Sequence, residues 1–131
     1  MLCRHLVKHW ARTQASVALS SGEAELTSLV KGSCEALGVR DMLKEMGHRS
    51  QCVVETDSSA ARGTVHRSGK GRLKHLQASS LWVQEHAAAG SIKYKKISRS
   101  ANGADLLTHH CAAAELHKHL QNLGVAVASG Q

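Results

Sequence analysis

The feature that most restricts the fold is a short unbroken apolar run, Cys52-Val53-Val54, within Gln51 to Thr56 and just ahead of Asp57. A strand exposed on one side alternates polar and apolar residues, whereas a run without alternation reads as a strand covered on both faces. Such a strand calls for helical layers around a sheet, and the flanking sequence supplies them. Upstream, Ser20 stands three residues before Glu23 in capping-box spacing, and Leu26, Leu29, Val30, Ser33 and Leu37 recur at helical intervals until Gly47. This predicts the longest helix over Glu23 to Met46, with Gly32 and Gly38 lowering its intrinsic stability. Downstream, Asp57-Ser58-Ser59 offers N-cap chemistry for a short helix through Ala60 and Ala61. Leu73, Leu76, Ser80, Val83 and Ala87 share one face of a further helix that Gly90 ends. Ile92 and Tyr94 then alternate with Lys93 and Lys95 in a half-exposed strand, and a last helical stretch begins after Asn102.

Ahead of the long helix, Leu2, Leu6 and Trp10 fall on one face of a period-two run and Ala15, Val17 and Leu19 on another, separated by Arg12-Thr13. This pattern predicts a β-hairpin. The expected order is therefore β-β-α-β-α-α-β-α, a small α/β body with a mixed sheet. A chain of 131 residues suits one such domain, placed over 1–124 with a loose tail at 125–131.

No apolar run approaches the roughly 20 residues that cross a bilayer, and Arg4, His5 and Lys8 interrupt the N-terminal stretch, so neither a membrane span nor a signal peptide is expected. An intracellular location, cytoplasm or nucleus, follows as the expectation. Cys3, Cys34, Cys52 and Cys111 form no CxxC and read as small, largely buried thiols. Lys and Arg number 17 against 10 Asp and Glu, a formal charge of +7 that favours a polyanionic partner. His109, His110, Cys111, His117 and His119 concentrate five possible ligands in eleven residues, but at no standard zinc-finger spacing, and Leu116, Leu120 and Leu123 mark an amphipathic helix there.

Against that basic background, three carboxylates stand at element boundaries. Glu25 lies in the first turn of the long helix, Asp57 at the carboxyl end of the apolar strand and Asp105 at the start of the last helix. In an open α/β sheet such positions converge on a crevice. Carboxylates gathered there repel one another unless a hard cation lies between them, and Mg²⁺ prefers oxygen ligands of this type. Singly, each has a plainer use: Glu25 complementing the helix dipole, Asp57 and Asp105 capping helices.

The words around these residues carry further. Val17-Ala18-Leu19-Ser20-Ser21-Gly22-Glu23-Ala24-Glu25-Leu26, then Glu55-Thr56-Asp57-Ser58-Ser59-Ala60-Ala61, then Lys74-His75-Leu76, and finally Ala101-Asn102-Gly103-Ala104-Asp105-Leu106-Leu107-Thr108 occur in that order. Together they resemble the ribonuclease H domain at the C-terminal end of copia-type LTR retrotransposon Pol polyproteins, over roughly residues 5 to 109. The resemblance implies a ribonuclease H-like fold with a five-stranded mixed sheet, and hydrolysis of the RNA strand of an RNA·DNA hybrid with two Mg²⁺ ions. It implies Glu25, Asp57 and Asp105 as catalytic metal ligands. Lys74 and His75 match a Lys-His pair that opens a helix, and with Arg67, Lys70 and Arg72 they are expected to contact the nucleic-acid backbone. The reverse transcriptase and the rest of the polyprotein are the implied partners.

The sequence also departs from the family. Its domains open with a central strand bearing an Asp that binds both metals, yet no Asp precedes Asp41 here. The expectation is a ribonuclease H-like fold lacking its first strand, and a weak or inactive enzyme. The alternatives are a non-catalytic basic module that holds a duplex through residues such as Arg67, Lys93, Lys95 and Lys96, or a decayed retroelement fragment.

Overall fold

The computed structural model describes residues 6–11, 18–67, 77–107 and 110–125. It divides the chain into two compact units, Ser16–Lys96 and a second made of Met1–Ala15 with Ile97–Gln131.

The first unit is built on helix α1, Ser21–Glu45. Ser20 is its N-cap in extended conformation, its Oγ accepting from Glu23 N at 3.2 Å, while the Glu23 carboxylate accepts from Leu19 N at 3.0 Å. This is the anticipated capping box, shifted so that the carboxylate reaches one residue further back. The helix ends where Gly47 takes φ +83, a conformation that costs glycine nothing. It starts two residues before the predicted point, which moves Glu25 from the first turn into the second.

Strand β1, Cys52–Thr56, pairs in parallel with β2, Ile92–Lys96, in the register Cys52↔Ile92 through Thr56↔Lys96. Between them lie α2, Ser59–Val65, and α3, Gln77–Ala88, the helical connection that a parallel pair requires. Leu26, Leu29, Cys52, Ala61, Val65, Val83, Ile92 and Tyr94 form the core. All three helices thus contribute to one face of the sheet. On the other face Val53 is 41% exposed, and Glu55, Lys93 and Lys95 are exposed with it. The expectation of a strand covered on both faces is therefore corrected: β1 is covered on one side, because every core side chain of α1, α2 and α3 gathers on the Cys52, Ile92 and Tyr94 side. Among the described residues the sheet has two strands rather than five. Residues 6–11 and 18–19, the described parts of the predicted hairpin, have no regular structure, and residues 12–17 lie outside the described residues. Leu73 and Leu76, expected on the α3 face, also lie outside them.

One polar chain crosses this core. Ser33 Oγ donates to Leu29 O at 2.8 Å, which spends its only proton, so the Tyr94 hydroxyl 3.0 Å away is the donor to Ser33. Burial raises the Tyr94 pKa above the ordinary tyrosine value. A raised folded-state pKa means stability is intact below the ordinary tyrosine value and is lost as pH climbs through the folded one. Chemical denaturation should accordingly show stability falling above pH 10. Tyr94→Phe should remove the contribution of Tyr94 to that slope and cost about 1 kcal/mol at neutral pH, since it leaves only an acceptor of Ser33 unmet.

In the second unit, two 3-10 turns, Arg99–Ala101 and Gly103–Leu107, precede helix α4, Ala113–Asn122. The last helical stretch predicted after Asn102 is thus a tight turn followed by a separate helix. Asn102 explains the difference: its Oδ1 accepts from Ala104 N at 3.2 Å, its Nδ2 donates to Asp105 Oδ1 at 3.4 Å, and its carbonyl accepts from Asp105 N at 3.2 Å. These local bonds favour the tighter spiral over an α-helix. Gly103 lies against Leu123, where an added Cβ would stand 3.0 Å from Cδ2.

Candidate functional site

The β1–α2 junction is set by hydroxyls. Thr56 Oγ1 accepts from Ser58 N at 3.1 Å, and Ser58 Oγ accepts from Ala61 N at 3.2 Å. The N-cap of α2 is therefore Ser58, not Asp57, and the half-buried Asp57 lies between the two residues that make the turn. At the start of α1 the capping carboxylate is Glu23, and Glu25 stands in the second turn, past the stretch where the helix dipole acts most strongly.

The two helix starts adjoin. A Cβ added at Gly22 would lie 3.8 Å from the Ala60 Cβ, so the first turn of α1 rests against the first turn of α2. Glu25 is three residues beyond Gly22, on the same side of α1, and Asp57 is three residues before Ala60. Lys96, at the end of β2, joins the same corner, its Nζ donating to Ser59 Oγ at 2.6 Å. The corner thus carries two carboxylate-bearing segments and one cation.

Asp105 belongs to the second unit, in the Gly103–Leu107 turn and in contact with Asn102. Among the described residues no three His, Cys, Asp or Glu side chains form a group that could hold a metal ion. Arg67 is exposed just after α2, while Lys70, Arg72, Lys74 and His75 lie outside the described residues. Of the histidine cluster, His110 and His117 are exposed, Cys111 is half-buried, and His119 is 1% exposed with no described partner for Nδ1; His109 lies outside the described residues. Sequence reasoning passed over Arg62, exposed on α2, and His66, exposed immediately after it, as contact residues. Their four-residue spacing was the available signal.

Over 100 residues the chain is 34% identical to the "Retrovirus-related Pol polyprotein from transposon TNT 1-94" of Nicotiana tabacum. That stretch is 75% of this chain and 8% of the relative, so the chain spans a small part of the curated protein it matches. The similarity points to a retroelement origin. No family model matches the chain, and no solved structure matches it. No helix among the described residues is long and apolar enough to cross a membrane.

Proposed function

We propose that this chain is a ribonuclease H-type domain of a retrotransposon Pol polyprotein, directed at the RNA strand of an RNA·DNA hybrid. The observation that carries the reading is that the first turns of α1 and α2 lie against each other at Gly22 and Ala60, which brings the segments carrying Glu25 and Asp57 to one corner. Similarity to a Pol polyprotein supports the same assignment. The donor chemistry fits a hard cation, since Glu25 and Asp57 offer only oxygens and Mg²⁺ commonly takes one or two carboxylates with water and substrate phosphate filling the rest. Mg²⁺ bound there supplies charge that activates water and offsets negative charge at phosphorus. The chain's own part is to present the two carboxylates on rigid elements and to hold the phosphate backbone with basic side chains. Asp105 is assigned as a third ligand by its Asn-Gly-Ala-Asp motif.

Glu25, Asp57 and Asp105 make up only part of the ligand set that the resemblance implies, so turnover through these residues alone should be slow. A labelled RNA·DNA hybrid incubated with this chain and Mg²⁺ is expected to lose its RNA strand at rates well under roughly 1 s⁻¹, the lower end of ordinary enzymes. Cleavage of both strands, or cleavage that persists in EDTA, would contradict the assignment.

The exposed Lys93, Lys95 and Lys96 of β2 favour a second reading, a basic module that binds the hybrid without cutting it. Its signature is complete absence of cleavage together with binding that survives EDTA and Asp57→Asn.

A further inference from the structure

We infer that the exposed side of α2, together with Lys96, is a track for the phosphate backbone of one nucleic-acid strand, leading toward Asp57. This rests on the function proposed above and adds Arg62 and His66, which the resemblance does not name, to its substrate contacts. Helix α2 buries Ala61 and Val65 and turns Ser59, Ala60, Arg62 and Gly63 to solvent, with His66 and Arg67 exposed immediately after it. Arg62 and His66 are four residues apart and so neighbours on one side of the helix, and Ser59 is a turn before Arg62. Lys96 is held on Ser59 at 2.6 Å, which brings a cation from β2 to the start of the row. Lys96, Arg62 and His66 thus form a line, with Arg67 at its far end.

No acidic side chain occurs from Ser58 to Leu76, so nothing along the helix itself neutralises the row. From position 59 to 66 the line runs about 10 Å at the α-helical rise. Phosphates of one strand follow at about 3.4 Å along a duplex axis, so the row spans two or three of them. Between the cations the surface is low: Ala60 carries only a methyl, and no atom lies within 4 Å of a Cβ added at Gly63. A sugar-phosphate strand can therefore approach the helix while the longer Arg and Lys side chains reach its oxygens. Exposed α2 offers no large apolar side chain to anchor a peptide, which favours a repeating phosphate charge over an acidic protein segment. Asp57 stands at the N-terminal end of this row, so a strand lying along it arrives at the candidate carboxylates.

The test is binding of a fluorescently labelled RNA·DNA hybrid in EDTA, measured by anisotropy between 50 and 200 mM salt. The double variant Arg62→Ala/Lys96→Ala should bind on the order of tenfold more weakly, with the slope of log affinity against log salt reduced by about 1 to 2. A control with the same charge loss on α1, Lys31→Ala/Lys44→Ala, should change the slope by much less. Circular dichroism should show both variants folded, as all four side chains are exposed. An unchanged slope in Arg62→Ala/Lys96→Ala, or an equal loss in the α1 control, would overturn the track. Polyglutamate bound as tightly as the hybrid, with the same loss in Arg62→Ala/Lys96→Ala, would overturn its assignment to nucleic acid. Slow hybrid cleavage with an unchanged slope removes the track and leaves the nuclease reading. A reduced slope without any cleavage does the reverse.

Discussion

The Asp57→Asn chain is expected to lose its response to Mg²⁺ while keeping its fold. Asn preserves the shape of Asp57 and removes its negative charge, so a cation held by that oxygen loses its main attraction. The loss of metal affinity should exceed the roughly 10- to 100-fold that follows from removing an outer-shell partner, and residual hybrid cleavage should fall with it. The fold is protected because the turn is closed by Thr56 and Ser58, whose bonds to Ser58 N and Ala61 N do not involve the altered side chain. Titration calorimetry with Mg²⁺, paired with thermal denaturation of the metal-free chain, separates these outcomes. Metal affinity equal to that of the unmodified chain would remove Asp57 from the ligand set.

Leu26→Ala should bring the largest loss of stability. Leu26 is 0% exposed and belongs to the core shared by α1, β1, β2, α2 and α3. Truncating such a residue combines lost transfer free energy with a cavity, about 2 to 5 kcal/mol. A single domain has on the order of 5 to 15 kcal/mol in total, so this one change removes a large share. It also loosens the turn of α1 that carries Glu25, the adjacent residue, so metal affinity should weaken along with stability. Leu19→Ala is the control, since Leu19 is 74% exposed and its substitution should stay within about 0.5 kcal/mol. Equal denaturation midpoints for the two variants would mean that α1 is not anchored through Leu26.

Local signals in the sequence were read well where one neighbour decides the structure. Ser20 and Glu23 announced the start of α1, Gly47 and Gly90 its end and that of α3, and the alternation of Ile92 and Tyr94 gave β2 with its buried face. The residues that misled were those whose state depends on distant packing. Cys52-Val53-Val54 has the composition of a doubly covered strand, but coverage is a property of what packs on it, and the helices place their core side chains on one face alone. Asp105 has the look of a helix start until Asn102 binds its amide and its carboxylate and tightens the turn. For the candidate site, the sequence indicated which carboxylates stand at element ends. It did not indicate that Ser58 rather than Asp57 is the N-cap of α2, because both residue types suit that position. Nor did it reveal the row on α2, since Arg62 acquires meaning only when Lys96 arrives from a strand 34 positions later and meets Ser59.

The most direct test of the central claim, that Glu25 and Asp57 hold the divalent cation, is paramagnetic broadening of amide signals in the nitrogen-15-labelled chain titrated with Mn²⁺ as a Mg²⁺ substitute. The amides of Gly22 to Leu26 and of Thr56 to Ala60 should broaden first and together, and excess Mg²⁺ should restore them. Broadening centred on His110 to His119, or a pattern that spares Glu25 and Asp57 while Mn²⁺ binds elsewhere, would contradict the account.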